Sequence, residues 1–379
     1  MTAQLRRPLT ATALALALTA TGAATLPASA HGPDHPPTVV ATGLSSPRHL
    51  SFAPNGDLYV AESGAPSDTQ GPCIEHPEFG AVCLDDTSSI TKVSRRGGQS
   101  RVVTGLPSLV SGQESTGAFD VLVHGSTLTV AMGLGGTPDL RAQLGPSAAP
   151  LGTVVDVRLR RGTGDGTKAR IRTDLAAYEA AHDPGGEGVD SNPVDLAPMR
   201  GGRVVAVDAG GNDVFTLSRR GRADVLAVFP SPGEAELPPF TGAPPGTMAP
   251  FESVPTAAAQ GPDGAWYVSE LTGFPFPAGR ASIYRVGKHG QRTVYATGLT
   301  NVTDLAWHGR SLYAVQMADE GLLTGSTGSV VRVSTHGAHR TVVDDLPTPY
   351  GIAIRHDKAY VTTGSTSPGD GQVVVARLR

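Results

Sequence analysis

Cysteine, aromatic residues and charge are all scarce in this chain of 379 residues. There are two Cys, the aromatic share is 5% and the charged share is 17%. Two cysteines are too few for a multi-bridge scaffold or a thiolate zinc cage. After residue 30 no long hydrophobic run occurs, so the body of the chain contains no membrane span. The formal net charge is −4 and no basic stripe is present. That excludes nucleic acid and anionic membrane as natural partners. Several catalytic signatures are missing too: there is no P-loop, HExxH, nucleophile elbow or CxxC. The reading therefore leans away from an enzyme.

Glycine and proline are plentiful, at 48 and 31 residues, and 39% of the chain is hydrophobic. This describes a turn-rich protein that can still fill a large core. Residues 1–30 read as a secretory signal peptide. Arg6 and Arg7 precede the apolar "ATALALALTATGAATL", and "ASA" offers a cleavage site after Ala30. Pro8 directly after the arginine pair favours the general export route over the twin-arginine one. Cleavage takes the formal charge to about −6, since 1–30 contains only those two charges. Residues 31–37 form a flexible tail and 38–379 a single domain, secreted and monomeric. In that compartment Cys73 and Cys83, in "GPCIEHPEFGAVC", are expected to form a disulfide closing one loop.

The body of the chain repeats. "SPRHLSFAPNGDLYVAES" (46–63), "VPTAAAQGPDGAWYVSE" (254–270), "NVTDLAWHGRSLYAVQ" (301–316) and "TPYGIAIRHDKAYVTTG" (348–364) share one pattern. An inner strand leads to a tight polar turn and then to a strand rich in Tyr, Val and Leu. Weaker copies start near 117 and 192, and further strands follow each copy. The spacing predicts an all-β fold, a six-bladed β-propeller of four-stranded antiparallel blades. "TVVATGL" (38–44) matches "TVYATGL" (293–299), so the N-terminal strand is expected to close the last blade beside "QVVVARLR".

In such a meander the long connections share one face: 64–88, 132–150, 174–191, 230–253, 270–280 and 317–328. Loops on a rigid scaffold commonly carry binding, so the loop-rich face is the expected site for a small molecule or protein partner. "DLAAYEAAHDPGGEGVDSNPVDL" (174–196) stands apart. It reads as one short helix in the blade 2–3 loop, followed by a turn that re-enters the next inner strand. His289, His308, His336 and His356 fall in the short turns of the opposite face, while His76 and His182 fall among the loops.

Glu62, Glu114, Asp190, Asn192, Glu270, Asn301 and Asp304 lie at or near strand ends on the loop side. Their oxygens suit a hard cation such as Ca²⁺, or serve to cap turns. Phe240, Phe251, Phe274 and Phe276 sit in two neighbouring loops, as an apolar ligand wall or as packing for the loops themselves.

"GLSSPRHLSFAPNGDLYVAESG", the loop holding both cysteines, "SSITKV" and above all residues 174–196 resemble the ScyD/ScyE family of secreted bacterial propellers. That resemblance implies a six-bladed propeller related to NHL-repeat proteins, without an established reaction. The chain is also similar, more broadly, to calcium-dependent lactonases of the propeller class, which implies the alternative of a metal-assisted hydrolase or an enzyme of secondary metabolism. Asn192 occupies the Asn-like ligand place. Ser45–Ser46 and Val254–Thr256 stand where that pattern has acidic ligands.

Overall fold

Each alternating segment pairs with the one that follows it, because successive side chains leave opposite faces of a strand and a tight turn brings the matching apolar faces together. The computed structural model describes residues 36–378. The expected signal peptide, and residues 31–35 of the expected tail, lie outside them.

Pro193–Pro198, Val204–Asp208, Asp213–Leu217 and Ala223–Val228 form an antiparallel sheet in chain order. The pattern recurs in three more sheets, which begin with the inner strands Ala118–His124, Pro255–Gln260 and Val302–His308. A further four-stranded sheet combines Ile352–Arg355, Lys358–Thr363 and Pro368–Arg377 with Thr38–Ser45 at its outer edge. One blade thus joins the two ends of the described chain.

The architecture is a β-propeller, but not the expected ring of six four-stranded blades: five sheets have four strands. The segment that starts at Pro47 instead builds a seven-stranded sheet. Its main path contains Pro47–Phe52, Leu58–Glu62, Gly80–Val93 and Gln99–Ser111. The last two, of 14 and 13 residues, are much longer than the other strands. Their ends therefore present unpaired backbone groups, which recruit extra strands. Cys73–His76 and Glu114–Thr116 add to those ends in antiparallel fashion, and Gly164–Asp165 adds in parallel along the outer edge of Gln99–Ser111 at Val103 and Thr104.

The loops hold more regular structure than expected. Two α-helices occur among the described residues, not one: Pro138–Gln143 and Leu175–His182. Arg141 of the first grips Asp174, the N-cap of the second, with contacts of 3.1 and 2.8 Å. Gly233–Glu236 and Met248–Phe251 form a separate two-stranded sheet. Cys73 and Cys83 face each other across their strands and are bridged, with Cα atoms 4.0 Å apart. Among the described residues no helix is long and apolar enough to cross a membrane.

The core lies between sheets. Leu175, Leu196, Phe215 and Leu217, for example, form one buried cluster at the second junction. Burying each such side chain contributes about 1.5–3 kcal/mol. The innermost strands contact one another in order around the axis, and Ile352–Arg355 returns to Pro47–Phe52.

Candidate functional site: the axial cavity

The innermost strand of a blade has no partner on its axial side, so its backbone N–H groups need acceptors. Aspartates supply them. Asp120 Oδ2 accepts from Leu196 N at 2.9 Å and Asp195 Oδ2 from Ala258 N at 2.8 Å. Asp304 Oδ2 accepts from Ile352 N at 2.6 Å. Each carboxylate reaches from its own inner strand to the next one, one residue past the equivalent position. His49 occupies that position in the first inner strand. Ala257 and Gly351 occupy it in the remaining two. Gly351 is required there: a Cβ would lie 2.7 Å from both Arg48 O and His49 Cα.

His49 is the one basic side chain of this ring. Its Nδ1 lies 3.1 Å from Asp304 Oδ2 and 3.9 Å from Asp195 Oδ1. Burial opposes its charge, but Asp304, Asp195 and Asp120 outweigh burial and raise its pKa to about 9. Burial likewise raises Asp120 to about 6 and Asp195 well above the usual carboxylate range, although His49 pulls both the other way. The Nε2 atom of His49 is buried without a hydrogen-bond partner.

These four side chains line a cavity of about 360 Å³. Its walls include Trp266, Leu122, Ile352 and Gln260. The lining follows the inner strands from their middle toward the short turns, so the cavity points away from the loop-rich face. On the loop side a different layer fills the axis. The Arg48 guanidinium lies 4.9 Å from the ring centres of both Phe119 and Tyr350, and it donates to Ser115 O at 3.0 Å and Ser63 Oγ at 3.2 Å. This buried cation–π stack closes the axis above His49.

The residues expected to form an oxygen ring are spread around the blades. Glu62 is buried and accepts from Ser45 N at 2.7 Å and Arg101 Nη2 at 2.8 Å. Glu270 takes Ser253 Oγ at 2.6 Å and Ser282 N at 2.9 Å. Asn192 and Asn301 accept from Leu134 N and Leu322 N, each at 3.1 Å. Glu114 is exposed. Only Asp304 reaches the cavity. Among the described residues no three His, Cys, Asp or Glu side chains converge as metal ligands. The side chains present do not fit a Ca²⁺ ion in the lactonase manner, because Asn192 is engaged and Ser45–Ser46 and Val254–Thr256 provide no carboxylate.

Asp190 belongs to a separate acidic group in the 174–213 region. Asp208 is satisfied there by Ser191 Oγ and by the N–H groups of Asn192, Gly210 and Gly211. Glu179 and Asp213 are buried, and none of their carboxyl oxygens has a hydrogen-bond donor. Burial raises Glu179 to about 7, aided by Asp208. It raises Asp213 to about 11, aided by Asp208 and Glu179.

The aromatic set divides. Phe240 and Phe274 are 6.2 Å apart, and Phe274 and Phe276 are 6.1 Å apart. Phe251 is buried, with Arg280 5.5 Å from its ring.

His49, Asp120 and Asp195 escape a reading of the sequence by strand ends. A signal is present all the same: aligning "PRHL", "AFDV", "PVDL", "VTDL" and "PYGI" puts His, Asp, Asp, Asp and Gly in one column. Polar residues inside strands pass there for turn or cap residues.

No family model matches the sequence, and no curated protein matches it. Solved structures do resemble the fold. A protein described as an oxidoreductase (glucose dehydrogenase) from Thermus thermophilus aligns with a TM-score of 0.51 and 15% identity, covering 89% of this chain and 98% of its own. Virginiamycin B lyase from Staphylococcus aureus aligns at 0.49 and 10%, covering 88% and 96%. The calcium-binding protein regucalcin from Agrobacterium tumefaciens aligns at 0.47 and 11%, covering 90% and 94%. At such identities the likeness is one of fold, and the chain is similar to these proteins as a β-propeller.

Proposed function

We propose that this chain is an exported β-propeller that binds a small molecule in its axial cavity, and we assign no reaction to it. The observation that carries this reading is the cavity of about 360 Å³ with the His49–Asp304 pair in its wall. A pocket of that size falls within the range of small-molecule sites, where a few polar groups on an otherwise apolar wall fix orientation. The bridged Cys73–Cys83 pair supports an oxidising compartment. The site proposed here differs from the loop-rich face expected from loop lengths. Loops tolerate insertion for reasons unrelated to binding, whereas a cavity lined by buried ionisable groups is costly to maintain.

The reading is tested by ligand retention. Ala259 lies in the cavity wall and also packs against the cluster of Ala257 and Leu305, and Ala259→Phe, checked for an unchanged fold by circular dichroism, would narrow the space. Native mass spectrometry of protein recovered from culture medium should show a bound small molecule on the parent and little on Ala259→Phe. Equal retention by both would refute the axial site.

A further inference from the structure

We infer that the axial cavity takes a small organic cation, an amine or guanidinium, held against Asp120, Asp195 and His49. This rests on the cavity being the ligand site. The lining contains three Asp and one His but no Lys or Arg. His49 is already engaged by Asp304. The nearest other cation, Arg48, is committed to Ser63, Ser115 and two aromatic rings. Buried carboxyl groups therefore outnumber the cations that face them.

Each of these carboxyl groups ties one backbone N–H of the next inner strand, a role that does not by itself require a charge. Thr256 Oγ1 donates to Val302 O at 2.7 Å and Thr303 Oγ1 to Tyr350 O at 2.6 Å. Neutral hydroxyls thus tie neighbouring inner strands in the same ring. An aspartate at three positions brings a desolvation cost that an uncharged side chain would avoid.

Protons now limit that cost, since burial holds Asp120 and Asp195 above the usual carboxylate range. An ammonium group would take over that role. His49 adds a second recognition element. It is 2% exposed, and Nε2 has no partner. With Nδ1–H donated to Asp304, Nε2 becomes an acceptor for a ligand N–H once the imidazolium gives up its second proton on binding. Trp266 and the aliphatic wall suit a carbon skeleton better than a hydrated metal ion. The absence of three converging ligands among the described residues points the same way. At pH 7.5 binding of the cation should displace protons from Asp195 and from His49. An anion drawn to imidazolium would instead cause proton uptake.

The test is isothermal titration calorimetry of the full chain at pH 7.5 in phosphate and in Tris. Agmatine and putrescine are the probes, and D-gluconate and D-glucose the comparisons. The expected result is binding of at least one amine with net proton release, weakened about tenfold by Asp195→Asn, a factor that corresponds to 1.4 kcal/mol. Asp120→Asn serves if Asp195→Asn does not fold. Absence of amine binding at millimolar concentration overturns the inference, as does binding without proton release. If gluconate or glucose binds and Ala259→Phe abolishes it while neither amine binds, the cation class fails but the axial site stands. If amines bind equally well to Asp195→Asn, Asp120→Asn and Ala259→Phe, both fail.

Discussion

Nδ1 of His49 lies 3.1 Å from Oδ2 of Asp304, and that same oxygen accepts the backbone N–H of Ile352 at 2.6 Å. One carboxylate thus links three inner strands. Asp304→Ala would leave both the imidazolium and the N–H group unpaired inside the protein. The expected loss is roughly 3–5 kcal/mol of unfolding free energy, the range for breaking a buried pair on one side. Urea denaturation at pH 7 measures it, and a loss below about 1 kcal/mol would show that the pair is not a structural link.

The same pair sets an alkaline limit. His49 is raised in the folded protein from 6.5 to about 9. A raised histidine contributes stability that is fully present below its unfolded pKa and lost as pH climbs through the folded one. The urea midpoint should therefore decline between pH 6.5 and 9. His49→Gln should lower the starting stability and flatten that decline.

A second and lower window belongs to the buried Glu179. Its pKa rises from 4.5 to about 7, chiefly by burial. The folded state then holds a proton that the unfolded state has released, so stability falls as pH rises from 4.5 to 7. Glu179→Gln should make that slope shallower, and Asp190, Asp213, Asp120 and Asp195, raised in the same direction, carry what remains. The slope should survive unchanged if Glu179 is ionised throughout.

Leu175 begins the helix that joins two blades and is completely buried against neighbours that include Phe215. Leu175→Ala should cost roughly 2–4 kcal/mol by urea denaturation, from lost transfer energy and the cavity left behind. A cost under 1 kcal/mol would mean that the helix packs loosely on the blades.

Closure can be tested by removing residues 36–44. Ala41 and Leu44 are buried, and Thr38–Ser45 pairs with Pro368–Arg377. Their loss exposes the edge of that blade, and the melting temperature should drop by about 3 °C or more if the lost contacts exceed about 2 kcal/mol. A deletion variant that melts with the parent would contradict closure.

Much of the scaffold was legible because strand pairing is local. The alternation in "NVTDLAWHGRSLYAVQ" gives two strands and a turn, and Val302–His308 and Ser311–Gln316 follow it. The similarity of "TVVATGL" to "TVYATGL" pointed to a fourth strand made by the other end of the chain, because equivalent blade positions carry the same pattern of burial. The extra strands of the first sheet were not legible. Cys73–His76 and Glu114–Thr116 are short and polar, and they form only where long neighbours extend past them. Of the candidate site residues Asp304 alone lies in the cavity wall. Glu62, Glu270, Asn192 and Asn301 serve backbone groups within and between blades. Proximity to a strand end does not reveal which way a side chain turns. The ring position does, because it recurs once per inner strand.

Trp266 offers the most direct measurement. The chain has two tryptophans, Trp266 in the cavity wall and Trp307 in a different core cluster. In a Trp307→Phe variant all indole emission comes from Trp266. Any compound that raises the melting temperature should then shift or quench that emission, with the same midpoint as the thermal effect, and Ala259→Phe should abolish both. If stabilising compounds leave Trp266 emission unchanged and lose their effect instead in Phe240→Ala or Phe274→Ala, the ligand sits on the loop-rich face and the axial account is wrong.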